Sequence, residues 1–138
     1  MKKVWRVAGV AAGAAAGVML MSGPAMASEY HNSADVPGAW GTIDFDYRSS
    51  TRADPIYLWV KDTREDGRVA RMRVVAGTGG GTKYYSWRTA SGMYNTTEAT
   101  TYLYDSTGIV WISIEVCRAS NAGNEVCAYS TRIWNNYV

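Results

Sequence analysis

Between residues 109 and 134 the chain alternates apolar and polar positions with a period of two. Val110, Ile112, Ile114 and Val116 share one side, and Trp111, Ser113, Glu115 and Cys117 share the other. That is the pattern of a strand with one buried face. A turn-rich stretch, 119–124, reverses the chain, and 126–134 runs back. Placing Cys117 opposite Cys127 sets Val116 against Ala128, Ile112 against Arg132 and Trp111 against Ile133, a register that a bulge would shift.

The same period recurs upstream. Ile43, Phe45 and Tyr47 alternate with Thr42, Asp44 and Asp46, and Ile56, Leu58 and Val60 alternate with Tyr57, Trp59 and Lys61. Ala70, Met72, Val74 and Ala76 share a face opposite Arg71 and Arg73. The turn at 62–67 predicts that 56–61 and 68–76 pair as a hairpin. The glycine-rich 77–82 predicts a flexible loop, followed by strands at 83–89 and 96–105. Residues 28–41 show no period and many small or turn-forming side chains, which predicts an extended N-terminal arm ahead of a domain at 42–138. No segment of ten or more residues beyond Ala27 has helical periodicity. About seven short strands with turn signals between them predict an all-β fold: a small antiparallel β-sandwich with a disulfide-closed C-terminal hairpin, an open barrel being the other arrangement of the same pattern.

Composition changes this picture at the N-terminus. Lys2, Lys3 and Arg6 precede an apolar stretch, 7–21, and Ala25 and Ala27 form the small-x-small pattern of a signal-peptidase site. The apolar run is about fifteen residues, short of the roughly 20 that span a bilayer. No cysteine follows the cleavage point, which argues against a lipoprotein anchor. Residues 1–27 therefore read as a signal peptide and the protein as secreted. Removing these 27 of 138 residues leaves 111, one small domain. Three of the 14 Lys and Arg leave and all 12 Asp and Glu stay, so eleven cations face twelve anions, a net of −1. Such a balance suits neither nucleic acid nor an anionic membrane.

Two cysteines in an exported chain predict one disulfide, Cys117–Cys127, stabilising by about 3 kcal/mol on the chain-entropy model. The spacing is unlike the Cys-x-x-Cys of redox-active pairs. Other chemistry is sparse. His31 is the single histidine, and both cysteines are committed, so neither a catalytic dyad nor a zinc site is predicted, nor any cofactor. The stretch 62–67 opens like a calcium loop, but Arg64 and Arg73 stand where oxygen ligands belong. Asp44 and Asp46 have the spacing of a hydrolytic carboxylate pair, yet they alternate with apolar residues and so face water. The glycines at 79–81 lack the Lys-Ser/Thr that a phosphate loop requires. Asn95, Thr96 and Thr97 match the glycosylation pattern, which means little if the host is bacterial.

The aromatics are the remaining signal. After residue 27 there are 16 Trp, Tyr and Phe in 111 residues. Alternation leaves Tyr57, Trp59 and Trp111 on faces that should be polar, which suits sugar stacking or a protein interface; a second core face, or a place under loops, is the structural reading. In the arm, Tyr30, Val36 and Trp40 are side chains that a solvated terminus does not need.

The run from Tyr57 to Gly67, with Val116-Cys117 and Val126-Cys127, resembles a group of small exported actinobacterial proteins that combine one disulfide with an all-β domain. In size and layout the chain is similar to the bridging subunit of secreted umbrella-toxin particles. That resemblance implies a part in a multi-subunit assembly, docked partly through an extended N-terminal segment. Together these features predict a secreted, non-enzymatic module that binds another secreted protein or complex subunit, with Tyr30, Val36, Trp40, Tyr57 and Trp59 as binding residues. Two other classes fit the same features: a carbohydrate-binding module and an inhibitor of secreted proteases.

Overall fold

Alternation along the chain becomes ten strands in the computed structural model, which describes residues 28–120 and 124–138. The expected leader, 1–27, lies outside the described residues. In chain order the strands are β1 (Tyr30–Val36), β2 (Ala39–Ser49), β3 (Arg52–Asp62), β4 (Val69–Thr78), β5 (Gly81–Tyr84), β6 (Arg88–Ser91), β7 (Thr96–Tyr104), β8 (Ile109–Ala119), β9 (Val126–Tyr129) and β10 (Ile133–Trp134). No helix occurs among the described residues. Two antiparallel sheets result: a four-stranded one in the order β1-β2-β3-β7, and a six-stranded one in which β8 and β4 are central, with β10 and β9 beyond β8 and β5 and β6 beyond β4. The expected all-β sandwich is the fold observed.

The core lies between the sheets and is filled by the predicted inward sets. Ile43, Phe45, Ile56, Leu58 and Val60 from one sheet meet Met72, Val74, Ile112, Ile114 and Val116 from the other. A side chain at Gly41 would place its Cβ 2.7 Å from Val116 Cγ2 and 3.2 Å from Met72 Sδ. Glycine there lets the two sheets close.

Three expectations are corrected. First, residues 28–41 are not an arm outside the domain. β1 pairs with β2 from Tyr30↔Phe45 to Val36↔Ala39, and Ala34 and Val36 are both 8 % exposed. The inward positions are Tyr30, Asn32, Ala34 and Val36, a set too small and polar to show as an apolar period. Asn32 satisfies its amide on the Thr131 carbonyl, 2.7 Å away.

Second, β3 and β4 do not form a hairpin. β3 pairs with β2 and β7, and β4 pairs with β8, β5 and β6. Two strands with one apolar face each can bury those faces side by side or opposite one another, and the chain takes the second course. Asp62, 2 % exposed, holds the corner: its carboxylate accepts the Arg64 and Gly92 amides, and Thr63 N–H reaches the Gly38 carbonyl. Third, 77–82 is not a loose loop but the tight turn of a hairpin, with Thr78 paired to Gly81 and Gly81 at φ +111°.

Cys117 and Cys127 are bonded as expected. Cys117↔Cys127 and Val116↔Ala128 keep the predicted register, whereas β10 is shifted by one residue, giving Ile133↔Ile112 and Trp134↔Trp111. The irregular step at Ser130 causes the shift, because its backbone N–H donates to the Ile114 carbonyl while its Oγ accepts the Ile114 N–H.

Candidate functional site

The four-stranded sheet turns its second face to solvent, and strand register assembles three rows there. Asp35, Trp40, Lys61 and Thr96 lie side by side, then Ser33, Thr42, Trp59 and Glu98, then His31, Asp44, Tyr57 and Thr100. At ordinary strand and residue spacings the rows cover about 14 Å in each direction. Trp40 and Trp59 meet edge to face with centroids 5.0 Å apart. Trp40 is 42 % exposed and Tyr57 46 %. Around them stand Tyr94, with the Lys61 ammonium 5.2 Å from its ring centre, and Tyr102, with the Arg52 guanidinium at 4.5 Å; Tyr104 is also exposed. His31 Nδ1 contacts Asp44. Asp46 pairs with Arg48, and Asp54 pairs with Arg52.

The outer face of the six-stranded sheet is built differently. Arg71 and Arg73 lie over the Trp87 ring at 4.1 and 4.2 Å, and Arg73 also covers Tyr84 at 4.5 Å. Each guanidinium has an acid: Arg73 donates to Glu115 at 2.7 Å, and Arg71 pairs with Glu125. Glu115 is 6 % exposed, and its hydrogen bond raises the Tyr129 phenol above its usual range. Trp111 lies on Gly77, where a Cβ would fall 2.1 Å from the indole nitrogen, and Arg132 covers it from above at 4.2 Å. Trp134, at the short β10, stays exposed.

Of the predicted binding residues, Trp40, Tyr57 and Trp59 come together on the open face. Tyr30 and Val36 do not. Tyr30 packs on Phe45 and Tyr47 at 5.4 and 5.3 Å, its hydroxyl accepts the Asn136 amide, and burial raises its pKa. Tyr47 is held further up by burial and donates to the Ile133 carbonyl at 2.6 Å. Trp111 faces outward as alternation predicts and is covered there, as a second buried layer would have it. Glu98, Tyr94, Tyr102 and Tyr104 belong to the open face and were not read from the sequence. Leu103, buried at the end of β7, is the signal that would have placed Tyr102 and Tyr104 outward.

Among the described residues, one cluster has the donor types of a metal site, and its donors are committed elsewhere. Glu115, Cys117 and Cys127 lie close together, but the two sulfurs are bonded to each other and Glu115 is bonded to Arg73. In the turn at 62–67, Asp62 accepts backbone amides and Asp66 pairs with Arg118. Lys83 first, then the Thr107 hydroxyl and amide, hold the Asp105 carboxyl down to about 2. Compared with protein-family models, curated proteins and solved structures, the chain matches none.

Proposed function

We propose that the protein is an exported, non-enzymatic module that binds another protein through the outer face of its four-stranded sheet. The observation that carries this reading is the Trp40–Trp59 pair beside Tyr57, held on a rigid two-sided sheet and open to solvent. Large aromatics of this kind on a firm scaffold are the usual anchors of protein interfaces. The disulfide is consistent with an oxidising compartment, and residues 1–27 have the composition of a leader. Docking through a free N-terminal segment is not part of the reading, because β1 belongs to the sheet. A bridging role in a larger assembly fits a module that offers one such face.

The test is capture from culture medium by tagged wild-type protein and by a Trp40→Ser, Trp59→Ser variant. Loss of the captured protein from a variant that melts normally is the expected result. Capture unaffected by the substitutions would overturn the reading. Tyr57 stands in one row with Thr100 and Asp44, an aromatic beside hydroxyl and carboxylate groups, and this favours a second reading as a carbohydrate-binding module. Aromatic-dependent retention on insoluble polysaccharide, with no captured protein, would establish it.

A further inference from the structure

The covered sheet shows how this chain satisfies a ring next to an acid: it lays a guanidinium on both. Arg73 touches Trp87, Tyr84 and Glu115 together, and Arg71 touches Trp87 and Glu125. On the open sheet Arg52 does the same at its edge, with Tyr102 and Asp54, but in the three rows ring and acid meet without an arginine. Register places Glu98 beside Trp59 and Asp35 beside Trp40, while Asp44, beside Tyr57, contacts His31. Among the described residues, no cation of the chain lies over Trp40, Tyr57 or Trp59, and neither Asp35 nor Glu98 has an ion-pair partner. Lys61, beside Trp40 in the first row, holds its ammonium 5.2 Å from the Tyr94 ring centre.

We propose that the partner supplies the missing half: a basic, arginine-bearing protein segment that lies across the three rows, stacking guanidinium groups on Trp40, Trp59 and Tyr57 and pairing them with Asp35 and Glu98. This rests on the protein-binding reading above and specifies its partner. Arginine suits the site better than lysine, since its flat group stacks on a ring while its edge donates to a carboxylate. The attraction is local, because the chain beyond residue 27 is close to neutral.

The test titrates the protein with an oligo-arginine peptide and, in parallel, an oligo-glutamate peptide, following backbone amide resonances. Oligo-arginine should shift β2, β3 and β7 and leave β4 and β8 unmoved, and oligo-glutamate should shift nothing. Raising salt from about 0.1 M to about 1 M shortens the screening length from about 10 Å to about 3 Å and should weaken the complex severalfold. Asp35→Asn with Glu98→Gln, both conservative changes on the open face, should weaken it by about three- to tenfold. No binding of oligo-arginine, equal binding of oligo-glutamate, shifts confined to the six-stranded sheet, or unchanged affinity in the carboxamide variant would each overturn the proposal. A protein captured from medium separates this proposal from the broader one. Capture lost with Trp40→Ser, Trp59→Ser but held in the carboxamide variant and in high salt leaves the protein-binding reading and removes the basic segment. Capture held by the Trp variant removes both.

Discussion

The two outer faces of the sandwich draw on one set of residues and end in opposite states. On the six-stranded sheet, arginines at alternate positions of β4 reach across to Trp87, Tyr84, Glu115 and Glu125 and tie ring to acid, though Tyr84 itself stays 52 % exposed. On the four-stranded sheet, Tyr57 and Trp59 occupy alternate positions of β3 and the next outward residue is Lys61, so the rings adjoin acids and hydroxyls instead. What differs is not how many aromatics the chain carries but which residue register sets beside each one. Arginines that also hold a carboxylate occupy the outer side of Trp87, while the outer sides of Trp40, Tyr57 and Trp59 carry no guanidinium and stay available to a partner.

The largest expected effect concerns the inner side of the four-stranded sheet. Deleting residues 28–39 removes β1 and uncovers core around Phe45 and Tyr47, which should cost at least about 4 kcal/mol and bring this small domain close to unfolding. A deletion variant with an unshifted melting temperature would show that β1 contributes nothing to the fold. On the covered face, Arg73→Ala strips Trp87 and Tyr84 and leaves Glu115 buried without its cation, at a cost of about 2–3 kcal/mol in urea unfolding. A change within error would mean that the arginine layer is ornament and the two faces are alike. On the open face, Trp40→Ser with Trp59→Ser loses an edge-to-face contact of about 0.5–1.5 kcal/mol, so stability should fall less than in Arg73→Ala while capture is abolished. A reversed order of stability losses would break the comparison.

The smallest effect is a pH dependence at Lys83 and Asp105, which tie β5 to the turn before β8. The Asp105 carboxyl sits at about 2 in the fold, against about 3.9 unfolded. The folded chain therefore favours its charged form. The stability it contributes is complete above about pH 5 and is lost as pH falls toward about 2. Urea midpoints measured over that range should decline less steeply in Asp105→Asn than in wild type.

How much of this is legible in the sequence differs from strand to strand. Val74 and Ile114 announce their burial because they sit in long apolar alternations, and two cysteines in a short chain announce their bond. β1 is hidden because its inward positions include Asn32 and Ala34, whose burial depends on Thr131 and on the partner sheet rather than on their own hydrophobicity. The β3–β4 relation is hidden because Asp62 to Gly67 has turn composition whether the chain folds back beside itself or crosses to the other layer; only the amides of Arg64 and Gly92 decide it. For the site, alternation alone places Tyr57 and Trp59 outward. Whether an outward ring is covered depends on cross-strand neighbours, as when Arg73 reaches Glu115 from a position 42 residues away, and a single strand carries no record of those.

The crossing at Asp62 also orders events in time as the chain is made from its N-terminus. β1, β2 and β3 can pair locally, but β3 waits for β7, with Trp59 opposite Glu98, and β4 waits for β8, with Val74 opposite Ile114. Each central strand keeps one ladder of amides and carbonyls unfilled until residues roughly forty positions later are present. Pairings of that range make folding slow and leave strand edges available to other chains in the meantime. A shortened product ending near Tyr94 would hold both edges open permanently and should associate with itself, whereas the full chain closes them with its last strands.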